Sequence, residues 1–164
     1  MRLPALLLLA ALLTTGCATR FAPGGDQPLR LSELDGEGDP VRRASLGLCV
    51  EGLDADVSGR PGSATIYYER AIQVDSTNPY AYLALARHQL EAGQPDAALG
   101  YVDRAQQLLD SEDARSPRVD AHLAGLRGAA LDASGRDGAE HLAYARETAP
   151  SVWGDGRLSA AELR

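Results

Sequence analysis

The chain has 164 residues, with 16 basic and 23 acidic side chains and a net charge of −7 at pH 7, long enough for one domain with a buried core. That balance argues against nucleic acid or anionic headgroups as partners. Every basic residue is arginine, and without a lysine amine neither a Walker-type phosphate loop nor a Schiff-base mechanism is available.

Met1-Arg2 is a minimal positive start, and Leu3 to Leu13 is an apolar stretch of 11 residues, about half of what a bilayer-spanning helix needs. It leads through Thr14-Thr15-Gly16 into Cys17. This arrangement resembles the lipobox of bacterial lipoproteins, with Thr14 where an aliphatic residue is usual. The resemblance implies a signal peptide at 1–16, cleavage before Cys17 and a lipid on its sulfur. The alternative is a plain secretory signal cut near Ala18. Ala18 is not the Asp that marks inner-membrane retention in enteric lipoproteins, so the resemblance implies a periplasm-facing outer-membrane anchor. More than one acyl chain would hold it stably. With Cys17 lipidated, Cys49 has no partner cysteine in the chain and is expected to be buried as a small hydrophobe.

Residues 17–39, rich in glycine and proline, read as a disordered tether with an end-to-end distance on the order of 25 Å. Phe21, Leu29, Leu31 and Leu34 are apolar exceptions that could dock on the domain or on a partner. Asp39-Pro40 predicts a helix start, with Asp as N-cap and Pro in the first turn. Leu46, Cys49, Val50 and Leu53 then share one helical face. Gly59 to Gly62 break that helix, and Ala64 to Val74 predicts a second. Pro79 opens a third carrying Tyr82, Leu85, Ala86 and Gln89; Gly93 to Pro95 turns the chain, and Ala98, Val102 and Ala105 line the return. Asp110 to Pro117 predicts a longer loop. A third hairpin is expected from Arg118 to Ala133 and again through Thr148, turning near Gly135 to Gly138.

The first two hairpins echo each other at 34 residues: seven of the 19 positions from Gly59 to Thr77 are identical in Gly93 to Ser111, where about one is expected for unrelated segments. The pattern resembles the tetratricopeptide repeat, with Tyr82, Leu85, Ala86, Ala98, Val102 and Ala105 at its signature positions in the second unit. Ala64, Tyr68 and Ala71 fill the returning helix of the first. The first helix of the first unit fits only with a shift of two residues, and the third unit matches loosely through Leu123, Leu126, Ala139 and Ala143. The fold class expected is all-α: about three antiparallel helical hairpins stacked as a short solenoid over 40–150, then a turn and short capping helix at 151–164.

In that family the first helix of each unit lines a concave partner-binding face. The resemblance places Tyr80, Leu83, Arg87 and Leu90 there, suited to a peptide or helix with an acidic group; Ala84 stands where the carboxylate-clamp variety has Asn. The implied function is a non-catalytic protein-interaction adaptor, lipid-anchored and scaffolding an envelope assembly, with a protein or peptide partner, no small-molecule substrate and no cofactor. An accessory lipoprotein regulating an envelope hydrolase is an alternative. His88, His122 and His141 lack the short spacing of a metal pair and read as surface or edge residues. Asp54 with Asp56, and Glu112 with Asp113, read as solvated charges beside turns. A second alternative is a calcium module in the tail, because Asp155, Gly156 and Glu162 fall at positions 5, 6 and 12 of an EF-hand-like loop. Ser151 and Trp153 occupy positions 1 and 3, so the favoured expectation is a turn followed by a helix with Ser159 and Glu162 as a capping box, and Trp153 covering the open end of the stack.

Overall fold

A computed structural model of the chain describes residues 28–34 and 39–164; the expected signal peptide, Cys17 and Phe21 lie outside the described residues. Every regular element described is helical: α1 (Leu31–Leu34), α2 (Pro40–Val57), α3 (Pro61–Val74), α4 (Pro79–Glu91), α5 (Pro95–Ser111), α6 (Pro117–Ala133), α7 (Ala139–Thr148), α8 (Pro150–Trp153) and α9 (Ala160–Leu163).

Proline opens α2 through α6, where its fixed φ suits the helix and its missing N–H is not needed. Asp39, Asn78 and Ser116 cap α2, α4 and α6 through their side chains. The turns after α2, α4 and α6 are one motif used three times. Gly59, Gly93 and Gly135 sit at φ of 67°, 73° and 73°, and the next residue's N–H closes on the carbonyl five back: Arg60 on Ala55 at 2.8 Å, Gln94 on Gln89 at 2.9 Å, Arg136 on Leu131 at 2.9 Å. This glycine-dependent helix ending satisfies otherwise orphaned carbonyls. It is the physical content of the 34-residue echo.

Three hairpins follow: α2 packs on α3, α4 on α5 and α6 on α7. The first helices also touch each other, α2 with α4 and α4 with α6, so α2, α4 and α6 form an inner layer and α3, α5 and α7 an outer one. Ala64, Ala71, Ala98 and Ala105 are buried where returning helices approach closely, as the repeat pattern requires. The third hairpin matches loosely because both helices flanking its entry are longer: α5 and α6 have 17 residues each against 14 and 13 for α3 and α4. Its turn glycine therefore comes late, outside the 34-residue register.

Part of the expected tether is structure. Leu29 and Leu31 are buried, α1 packs on α2, and the Ser32 N–H donates to the Arg164 main-chain oxygen at 3.1 Å, bringing the two ends of the described fold together. Cys49 is fully buried, and burial pushes its thiol up to about 12, leaving it protonated and inert at neutral pH. Among the described residues no helix is long and apolar enough to cross a membrane.

Candidate partner-binding face

The units are locked together by polar side chains one repeat apart. Arg42 on α2 donates through Nε to Asp75 at 2.5 Å and through its two terminal nitrogens to Glu112 at 2.8 and 3.3 Å, and one of these also reaches the Thr77 carbonyl at 3.1 Å. The fork raises the Arg42 pKa, first through the bond to Glu112. Burial works against the Asp75 charge, but hydrogen bonds from Thr77 and Arg42 prevail and hold its carboxyl below the ordinary value of 3.8. Deeper in, Asn78 donates to Ser45 at 2.8 Å, and Ser45 donates to the Ala71 carbonyl at 2.9 Å. Glu112, expected to be solvated, is thus part of a cross-unit clamp.

Asp56 and His88 also depart from expectation. The Asp56 side chain is 5% exposed and is held by Arg87, by the Tyr68 hydroxyl at 2.9 Å and by His88 Nδ1 at 2.9 Å. A carboxylate only accepts, so Nδ1 carries the proton; in the neutral ring Nε2 then accepts from the Thr65 hydroxyl, 2.9 Å away. The Thr65, His88, Asp56 order has the form of a nucleophile relay, but the N–H groups of Ser63 and Ala64 beside it are not free to act as oxyanion donors. Those N–H groups are spent on the Arg60 carbonyl at 3.0 and 3.1 Å, and the Pro61 carbonyl, 3.1 Å from the Thr65 hydroxyl, competes with His88 for its single proton. The network joins α2, α3 and α4 and fixes their stacking.

This network decides the fate of the four residues expected on the concave face. Arg87, expected to meet an acidic partner, is 2% exposed and spends its charge on Asp56 and on Glu91 at 2.5 Å. Leu83 is fully buried, and Tyr80 and Leu90 are partly buried against the core. The four lie on α4 but do not form an open surface. Stacking brings the end of α2 against α4 and so presents Asp56 to Arg87.

The inner layer is covered by the chain's own C-terminal segment. Trp153, at the end of α8, lies with its ring against Gly125 of α6 and edge-on to His122, with ring centroids 6.2 Å apart. Gly125 is obligatory for that approach, because an added Cβ would fall under 3.0 Å from the indole. The chain turns at Asp155-Gly156, and α9 then packs across α4 and α2. Leu163 is fully buried, and Arg164 pairs with Asp54, one bond measuring 3.1 Å. Trp153 therefore covers the inner face of the third unit and not only an end of the stack. The capping box forms: Glu162 accepts from the Ser159 N–H at 2.8 Å and the Ser159 hydroxyl at 2.7 Å. One oxygen of the carboxylate which the EF-hand-like reading would place on calcium is thereby engaged at the start of α9.

His122, expected near the surface, is fully buried. Burial lowers its pKa below 6.5, only partly offset by the bond between Nδ1 and the Arg118 carbonyl at 2.9 Å. On the other side of the stack, an open groove of about 540 Å³ is lined by Asp103, Gln106, Gln107, Asp110, Arg127 and His141. Its arginine is already held by Asp103 at 2.7 Å and Gln106 at 2.9 Å.

Sequence reasoning missed the covered face because the tail's contacts are remote in sequence. The interlocks had a signal. Arg42 with Asp75, Ser45 with Asn78 and Asp56 with His88 lie 33, 33 and 32 residues apart, close to one period, where stacked repeats face each other. No curated protein and no solved structure matches the chain. Residues 58–130, spanning the return of the first hairpin, the whole second one and most of α6, match the family model of the tetratricopeptide repeat.

Proposed function

We propose that this chain is a lipid-anchored, non-catalytic adaptor of a bacterial cell envelope, holding its repeats toward a protein partner in an outer-membrane or periplasmic assembly. The observation that carries the reading is the stack of hairpins whose central part matches the tetratricopeptide repeat. Repeats of this kind build extended surfaces for other proteins. The polar clusters support a non-catalytic role, because the Asp56, Arg87 and His88 group and the Arg42 fork both pair across units as interlocks. The anchoring part rests on Met1 to Cys17, a short apolar run ending in small residues and a cysteine.

The test has two arms. Growth with labelled palmitate should mark the wild-type chain and not Cys17→Ser; a chain processed near Ala18 and free of lipid would remove the anchor. Crosslinking and co-purification from detergent-extracted envelopes should recover a discrete protein partner. Recovery of none, across crosslinkers of different reach, would contradict the adaptor role.

A further inference from the structure

We propose that the inner layer of α2, α4 and α6 is a peptide-docking face whose ligand chemistry can be read from the segment covering it, residues 150–164. A partner docks by displacing that segment with one of the same kind: an aromatic and two aliphatic side chains at five-residue spacing, followed by a basic one. This rests on the adaptor reading and on the concave face expected of such repeats, and adds the ligand class and the resident segment it must displace.

The path of the segment is the first support. Trp153 sits on α6, α9 on α4 and α2, and Arg164 on Asp54 of α2, so one short stretch touches the first helix of all three units. Its chemistry is the second. Trp153, Leu158 and Leu163 recur every five residues and are 0%, 8% and 0% exposed, and the closing Arg164 meets a carboxylate. A ligand with that spacing and a terminal cation would satisfy the same positions.

The third support is that the segment borrows its order from the face. Helices α8 and α9 have four residues each, far too few to be stable alone. Docking also leaves the Trp153 Nε1 and His122 Nε2 atoms buried without a hydrogen-bond partner among the described residues, a cost to the seated segment that a ligand able to bond His122 would avoid. Covalent attachment through α7 gives the resident segment an effective concentration of roughly millimolar, so a partner prevails by adding contacts beyond the shared pattern.

Trp153 is the only tryptophan, so its emission reports whether the segment is seated. The probe is a synthetic peptide of residues 148–164 carrying Trp153→Phe, titrated into the full chain with far-UV circular dichroism in parallel. Expected is a saturable shift of Trp153 emission toward that of solvent-exposed indole, with helicity retained. In the chain, Leu163→Ala should lower the peptide midpoint on the order of 30-fold. Arg164→Glu, which reverses the charge facing Asp54, should lower it roughly 3-fold. A peptide also carrying Leu158→Ala and Leu163→Ala should be inert.

An unmoved Trp153 at millimolar peptide in folded Arg164→Glu would overturn the proposal, as would peptide binding that leaves the emission unchanged. So would a concentration-dependent dimer of the full chain seen by light scattering, which would make a second copy the occupant. If the peptide fails while envelope crosslinking recovers one partner equally with wild type and Arg164→Glu, the adaptor reading stands and the partner sits on another face. Failure of both experiments removes both readings.

Discussion

Replacing Gly125 with alanine places one methyl where the Trp153 ring lies. The new Cβ would meet indole Cδ2 at 2.5 Å, with two other ring carbons closer still, against an ordinary contact of 3.4–4 Å. The ring must therefore retreat by about 1 Å or leave. A retained but displaced ring carries the usual overpacking cost of about 1–3 kcal/mol, set against a gain of about 1 kcal/mol from helix propensity. Full expulsion would approach the ~3–5 kcal/mol typical of deleting a buried aromatic. Gly100→Ala is the control: it lies within α5 with nothing within 4 Å of the added atom, so it gains up to about 1 kcal/mol. The propensity gain is common to both, so urea and thermal unfolding should separate the two variants by about 1–3 kcal/mol with the ring displaced and about 3–5 kcal/mol with it expelled, and Trp153 emission should shift toward exposed indole in Gly125→Ala alone. If Gly125→Ala is as stable as Gly100→Ala and its emission matches wild type, Trp153 does not pack on α6.

Ala98→Leu should cost about 1–3 kcal/mol in urea midpoint analysis, because Ala98 is 1% exposed where α5 returns along its hairpin; an unchanged midpoint would contradict the close helix approach. Arg42→Ala should cost about 1–3 kcal/mol by removing charge-assisted bonds, and a double-mutant cycle with Glu112→Ala should show coupling, whereas additive losses would mean the fork is not formed. Asp75 is held below 3.8, so the stability it lends is present above that pH and lost as pH falls through its folded value. His122 is held below 6.5, so the unfolded chain takes up its proton first: stability should fall as pH drops from about 6.5 toward the folded value. That part of the loss should vanish in His122→Gln, and an identical slope in the variant would argue against a buried neutral ring.

What could be read from the sequence is local. Proline at first turns, Asp39 as a cap, and glycine after α2 and α4 each act within one turn of chain, so the hairpins and their boundaries follow from residue chemistry. Small residues at Ala98 and Ala105 likewise announce a close helix neighbour. The candidate face is a different matter. Arg87 carries a charge at a position that lines the groove in related repeats, and only the stacking of α2 on α4 shows that Asp56 takes it up. Leu29 and Leu31 sit in a stretch whose glycines and prolines suggest a tether, yet both are buried, α1 packs on α2, and Ser32 bonds to the end of the tail. The same holds for Trp153: an aromatic next to a turn gives no sign of which helix will receive it, and Gly125, which does, reads simply as a weak helix residue.

The most direct test of a self-covered inner layer is a set of nuclear Overhauser contacts in the full chain between the Trp153 indole and the Gly125 α-protons, and between the Leu163 methyl groups and α2 or α4. The structure predicts both, with the Gly125 α-protons shifted by the ring current. Absence of both sets, with amides 158–164 exchanging as freely as in an unstructured peptide, would contradict it.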